Sequence, residues 1–397
     1  MRFPALAVAS ILLLALNLRI PTVSLGPLMP EIRSDTGHGE TFLSLLTTIP
    51  LALTLAVAPL TPRIAARFGR DRVLGAALAA VVLGTLVRSV PGDVGVLAGT
   101  ALLGVAIAVG TVLAPATIAA EPLHRRSLLT STYSMALSLG PALALAATVP
   151  LMHVSGLGWR GSLVLWGLCP VLALAVWILH SRAARGEPAA PGSAKEDEAA
   201  REAAGSTPRA VGDARVWLLA LYLGITSLTF YTTSTWLPTT LVLDGMTPAS
   251  AGAHVSAINV VAVPFAMLAP IAMRRGHSRL VAPLAPVIAV AGVGVLLAAG
   301  SSGAFAVVLL LGASQGLCLG VSYAQIVQFA TSPHHAGAVS AVTSAVGIAL
   351  AALGPLAFGF GLENTGTWAP SVAGLGAVLV AQVLIGLRTG SVVSSRR

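Results

Sequence analysis

An arginine stands just past the middle of the first long apolar run of this chain. The run, FPALAVASILLLALNLRIPTVSLGPLMP over residues 3–30, is long enough to cross a bilayer, and Arg19 is the one charged residue placed mid-way along such a run. An arginine at that depth costs about 2.5–3.5 kcal/mol on insertion scales, so residues of this kind face a bundle interior or a water-filled cavity and mark a pathway. No acidic residue lies at comparable depth in any other run. A buried cation without a buried anion leaves its partner to come from outside the chain, as a small anion or strongly dipolar solute. The bland alternative is that Arg19 snorkels to an interface or is neutralised by backbone carbonyls.

Other polar side chains at depth are few. Thr22 follows Arg19 by one turn on nearly the same face and adds a hydroxyl. Asn17 lies about 200° around the helix from Arg19 and reads as an interhelical hydrogen bond. Tyr222 and Tyr231 are nine residues apart, two and a half turns, so only one of them points at a given interior. Gln315, Tyr323 and Gln328 fall in one later run, which also carries Gly312, Gly316 and Gly320 as a small-residue stripe for close helix packing. His254 and Asn259 are the remaining deep polar groups; the histidine reads either as structural or as a group titrating near neutrality. No paired base and nucleophile and no ligand set emerges from these residues, so neither an enzyme, a metal nor a cofactor is expected. Cys169 and Cys318 sit inside apolar runs and make no disulfide framework.

The elements that must hold these residues are membrane helices. The chain is 56% hydrophobic and only 9% charged, with a mean hydropathy of +0.88, far from soluble globular usage. Runs of about 18 or more apolar residues fall near 5–28, 41–62, 73–90, 95–120, 128–152, 161–181, 215–237, 249–273, 280–299, 304–329, 337–360 and 369–387, which predicts twelve spans. The runs lack the alternation of a barrel strand, and in lipid every backbone group must be satisfied locally, so they are helices. The first run is too long for a signal-peptide core and is read as a retained span.

The net charge of +9 points to topology rather than to nucleic acid, because the basic residues come in short clusters between apolar runs. With a cytoplasmic N-terminus, 19 of the 23 Lys plus Arg fall on the inner side; Arg33, Arg88 and Arg160 fall at the outer face and Arg19 in the membrane. Both termini are then cytoplasmic. Residues 182–214 form a charged, Pro- and Gly-containing linker without apolar periodicity, dividing the chain into a six-helix bundle at 1–181 and a second at 215–397. The halves echo each other. Arg67-Phe68-Gly69-Arg70-Asp71-Arg72 matches Arg274-Arg275-Gly276-His277-Ser278-Arg279 as R-x-G-x-x-R, and Gly140-Pro141 matches Gly354-Pro355. A duplication of this kind underlies many secondary transporters, with the site where the repeats meet.

The loop from Pro62 to Arg72 resembles the G-x-x-x-D-R-x-G-R-R signature of the major facilitator superfamily, with Pro62 in place of the first glycine and Ala66 in place of the acid. The resemblance narrows over nearly the whole chain. Asn17-Leu18-Arg19, Ser24-Leu25-Gly26-Pro27-Leu28, Leu46-Thr47-Thr48-Ile49-Pro50, Tyr133-Ser134-Met135-Ala136-Leu137, Val149-Pro150-Leu151, Gly158-Trp159-Arg160, Phe230-Tyr231 before Trp236-Leu237-Pro238, Gln315-Gly316 and Ala352-Leu353-Gly354-Pro355 are similar to the cyanate and 2-nitroimidazole permeases of the CynX/NimT type. Thr226, Thr111 and Ser344 depart from that branch, where Gln, Asn and Gln are expected.

The resemblance implies an all-α integral membrane transporter whose first, fourth, seventh and tenth spans line a central cavity. Arg19 then serves as substrate counter-charge, its planar fork gripping a carboxylate, cyanate or nitro group. Thr22, Tyr231, His254, Asn259 and Gln315 complete the expected substrate contacts, while Arg67, Gly69, Arg72, Arg274, Gly276 and Arg279 form the gating motif between the bundles. The expected function is secondary active transport of a small anionic or strongly dipolar solute across a bacterial inner membrane by alternating access. The protein is expected to act as a monomer, in contact with lipid and substrate alone. A multidrug or antibiotic exporter of the same fold is the alternative, and a membrane sensor or enzyme a remote one.

Overall fold

The computed structural model of the protein describes residues 2–121, 123–184, 211–331 and 333–394. Of the expected linker at 182–214, residues 185–210 lie outside the described ones. All regular elements among the described residues are helical. In chain order they include α1 (Arg2–Asn17), α2 (Ile20–Val23), α3 (Met29–Thr36), α4 (Glu40–Val57), α5 (Thr61–Phe68), α6 (Arg70–Arg88), α7 (Asp93–Ala120), α8 (Leu123–Ser155), α9 (Gly158–Trp166) and α10 (Leu168–Ala184). After the undescribed stretch come α11 (Ala214–Leu243), α12 (Pro248–Ala272), α13 (Ser278–Ala299), α14 (Ala304–Phe329), α15 (Pro333–Thr365) and α16 (Ala369–Ser394).

Nine stretches among the described residues are long and apolar enough to cross a membrane, one of which, Pro248–Phe329, is 82 residues long and runs through α12, α13 and α14. Apolar side chains point outward on them: Phe305 and Val327 are each 71% exposed and Leu384 60%. In water such a surface would drive association. In lipid it is the ordinary outer face of a bundle, while the backbone is satisfied inside each helix.

The chain divides into two compact units, one comprising Met1–His38 and Leu45–Ser193, the other Gly39–Ser44 and Ala194–Arg397. In the first, α1 packs on α8 and α10, and α6 packs on α7 and α10. Leu14, Leu74, Leu78, Leu113 and Trp177 form its buried centre. In the second, α11 packs on α15 and α16, and α13 on α14 and α16. The second unit thus repeats the pairings of the first in the same chain order. The glycines of the two R-x-G-x-x-R echoes both take a positive φ, Gly69 at +88° and Gly276 at +91°, which glycine enters most freely, while their ψ values differ, 136° and 3°.

The stripe Gly312, Gly316 and Gly320 lies against α12. A Cβ built on Gly316 would run into the carbonyl of Ala262, and one on Gly312 would stand 2.7 Å from the Val261 Cβ. The absence of side chains there brings the backbones of α12 and α14 into contact, as small residues do between membrane helices.

The first span is not one helix. Pro21 has no N–H, and its ring opposes the carbonyl four residues earlier, so α1 ends at Asn17 and the chain restarts at Ile20. Pro27 sits in a single 3-10 turn, Gly26–Leu28, and Pro30 opens α3. One continuous span at 5–28 is therefore replaced by short pieces punctuated by prolines.

Candidate functional site

Arg19 occupies the first of these interruptions. The helix tightens as it ends, with the Leu18 N–H donating to Ala15 O and the Arg19 N–H to Leu16 O, both at 3.2 Å. Arg19 then caps α2 from φ −119° and ψ −41°, its carbonyl accepting from Thr22 N–H at 3.3 Å and Val23 N–H at 3.1 Å. The side chain is half-buried. Thr22 is buried on the following turn. Gly140 of α8 packs beside this segment, where a Cβ would lie 3.5 Å from the Arg19 Cβ and 3.4 Å from Leu16 O. Asn17, which the sequence reads as an interhelical contact, donates to Leu13 O at 2.8 Å and to the Cys169 thiol of α10 at 3.4 Å. Its Oδ1 is buried without a partner.

Arg88, which the sequence places at the outer end of its span, is buried in the structure. It is the last residue of α6, only 1% exposed, and its guanidinium donates to the Pro21 carbonyl at 2.7 Å. The cause is packing. A Cβ on Gly99 of α7 would collide with the Arg88 backbone nitrogen and the Gly84 carbonyl, so α6 and α7 approach at backbone distance where Arg88 is rooted. Counting basic residues near the ends of apolar runs cannot reveal this; the glycines at 84 and 99 were the available signal.

In the second unit the expected site residues take different partners. Tyr222 is fully buried, its hydroxyl donating to Ala282 O at 2.7 Å, which fixes it as the structural tyrosine of the pair. Tyr231 is half-buried and meets the Phe230 ring edge-on, with centroids 5.0 Å apart. His254 pairs through Nδ1 with Ser250 O at 2.8 Å, and Asn259 donates to Val255 O at 3.3 Å, each within α12. Of Tyr231, His254, Asn259 and Gln315, only Gln315 borders the small cavity that α11, α13, α14 and α16 enclose.

That cavity, with room for about one water, is lined by Thr226, Thr229, Thr233, Ser314, Gln315 and Gln382 among apolar neighbours. The Gln382 amide donates to Thr226 Oγ1 at 2.8 Å and Tyr222 O at 3.0 Å, and Ser314 donates to Ala285 O at 2.6 Å. Buried Thr229 Oγ1 has no partner. Of these, the sequence singles out Gln315 and Thr226 and not Thr229 or Thr233, although positions 226–240 hold nine serines and threonines. Among the described residues, no group of three or more His, Cys, Asp and Glu side chains could hold a metal ion.

The sequence model of the Major Facilitator Superfamily matches residues 8–355. The chain belongs to that superfamily. It is therefore a multi-pass membrane transporter and not an enzyme. It is 30% identical over 391 residues to the 2-nitroimidazole transporter of Escherichia coli (strain K12), covering 96% of this chain and 95% of that one. It is 26% identical over 283 residues to the cyanate transport protein CynX of the same strain, covering 71% of this chain and 70% of the relative. These matches agree with the branch read from the motifs. A crystallised bacterial homologue of the human lysosomal transporter Spinster, inward-facing and occupied, superposes with a TM-score of 0.80 at 16% identity, over 100% of this chain and 97% of that one. At that identity it shows the fold.

The superfamily loop motif takes the form its glycines require. The first copy turns at Gly69, between α5 and α6, and Arg70 beside it donates to Ala116 O at 3.0 Å. Arg67 and Arg72 are exposed, as are Arg274 and Arg279 around Gly276 in the second copy.

Proposed function

We propose that this transporter is a secondary carrier of compact anionic or strongly dipolar solutes, with Arg19 as the substrate's counter-charge. The observation that carries the reading is the position of Arg19 at the break between α1 and α2. Interrupted membrane helices are where carriers of other folds place their substrate and ion sites, because unwound backbone is tolerated in a membrane only where it meets protein or water. The two Escherichia coli relatives are named for a compact nitroheterocycle and a compact anion. A guanidinium fork can address either group with paired hydrogen bonds. At 4 Å such a charge interacts by about 4 kcal/mol at an effective dielectric of 20 and about 1 kcal/mol in bulk water, so a partly desolvated site discriminates by sign of charge. Thr22, Tyr231, His254, Asn259 and Gln315 are the proposed supporting contacts.

The finer architecture belongs to the same proposal. Counting Pro248–Phe329 as three spans raises the nine stretches to eleven, and α6, a helix of 19 residues that carries Arg70, Asp71 and Arg72 in its first turn, makes twelve. With 19 of 23 basic residues on one side, both termini face the cytoplasm of a bacterial inner membrane. The functional unit is a monomer of two bundles, 1–181 and 215–397, joined by 182–214, and it works by alternating access.

The test is a ligand-stabilisation screen of purified protein against 2-nitroimidazole, cyanate, small carboxylates and organic cations. Stabilisation by the nitro or anionic solutes is expected, lost in Arg19→Ala at nearly unchanged unliganded stability. Arg19→Lys should recover little, since a point charge cannot reproduce the fork. Tight binding of an organic cation that ignores neutralisation of Arg19 would overturn the proposal in favour of a drug exporter.

A further inference from the structure

We propose that Arg88 is a positioning residue for the Arg19 site, acting through the Pro21 carbonyl. The inference rests on the reading of Arg19 as counter-charge. A fully buried arginine is expensive in a membrane protein and is kept where it does a job that a neutral residue cannot. Arg88 makes one identified bond, from a terminal guanidinium nitrogen to Pro21 O at 2.7 Å, while its Nε is buried with no partner. Its placement therefore serves Pro21 more than its own saturation. Pro21 lies inside α2, the four-residue turn that Arg19 caps, and that turn closes with Ser24 N–H on Ile20 O. Four residues make a single helical turn, too short to hold itself. Its first carbonyl, from Arg19, is satisfied by Thr22 and Val23; its Pro21 carbonyl is held from outside by α6. Fixing one end of so short a turn fixes the other, where the Arg19 side chain departs. The backbone contact at Gly84 and Gly99 in turn prevents Arg88 from retreating.

The test uses the purified full chain with 2-nitroimidazole and cyanate as probes. The variants are Arg88→Met, which keeps length but removes the donors, Arg88→Lys, which restores one donor, Arg19→Ala and the double variant. Two quantities are read: probe affinity, and amide hydrogen exchange of the peptide spanning residues 18–28. Arg88→Met should weaken binding about tenfold and speed exchange in that peptide while other peptides keep their protection. Arg88→Lys should recover most of both. Added to Arg19→Ala, Arg88→Met should change binding no further, the non-additivity of residues acting through one another. Wild-type affinity and wild-type exchange in Arg88→Met would overturn the inference and leave the role of Arg19 standing. Should Arg19→Ala bind like wild type, the counter-charge reading falls, and the exchange of 18–28 alone decides: faster exchange supports a turn held by Arg88, unchanged exchange refutes it. Should Arg88→Met fail to fold, Arg88→Lys against wild type decides by the same two readouts, a small loss supporting the inference and a complete loss of affinity with unchanged exchange refuting it.

Discussion

The side-chain amide of Gln382 donates to the hydroxyl of Thr226 across 2.8 Å, 156 residues apart in the chain. The same amide reaches the Tyr222 carbonyl at 3.0 Å, so one glutamine on α16 meets two successive turns of α11. Tyr222 and Ser314 extend the tie to α13 through Ala282 O and Ala285 O. The polar residues of this unit thus lock helices together around a small cavity, in surroundings where an unmatched polar group has no water to turn to.

Removing one partner of that bond should be detectable and modest. Gln382→Leu and Thr226→Val are each expected to lower stability by about 0.6–1.7 kcal/mol, the range of interhelical hydrogen bonds within membranes. The double variant should fall short of the sum, because each single change already removes the shared bond. Thermal unfolding in detergent measures this; strict additivity would show that the contact contributes nothing.

Pro21→Ala separates helix geometry from charge. It restores an N–H and removes a ring worth about 3 kcal/mol against helix continuity, so α1 should extend through Arg19. Unliganded stability should hold or rise while, on the proposed reading of Arg19, binding of the probes 2-nitroimidazole and cyanate collapses. Protection of amides 18–22 from exchange would report the extension, and a fully active Pro21→Ala protein would show that the break is dispensable.

The two Gly-Pro pairs look alike in sequence and differ in tolerance. A Cβ at Gly140 meets only ordinary contacts at 3.4–3.8 Å, so Gly140→Ala should be neutral or gain up to about 1 kcal/mol from helix propensity. A Cβ at Gly354 would collide with the Thr232 hydroxyl and stand 3.0 Å from Leu228 O, so Gly354→Ala should lose about 1–3 kcal/mol. The comparison needs only two melting curves; equal effects would contradict the packing described.

Hydropathy made the helical class readable from the sequence, since apolar runs in lipid have little choice but helix. Arg19 stood out as a candidate, being a charge mid-way along an apolar run. The break beside it was not drawn from the sequence, although Pro21 two residues on carried the signal. The burial of Arg88 was not legible, because it depends on how closely α6 and α7 approach, a tertiary outcome no single run encodes.

The bond between Arg88 and the Pro21 carbonyl also sets an order on how the protein is made. Its ends are 67 residues apart, and synthesis at roughly 5–20 residues per second leaves about 3–13 s between their emergence. During that interval the first span is inside the translocation machinery or the bilayer with an open carbonyl at its broken turn. The opening segment therefore lacks this bond on insertion; it waits for α6, and a truncated chain ending before Arg88 should stay longer with the insertion and quality-control machinery than one that includes it.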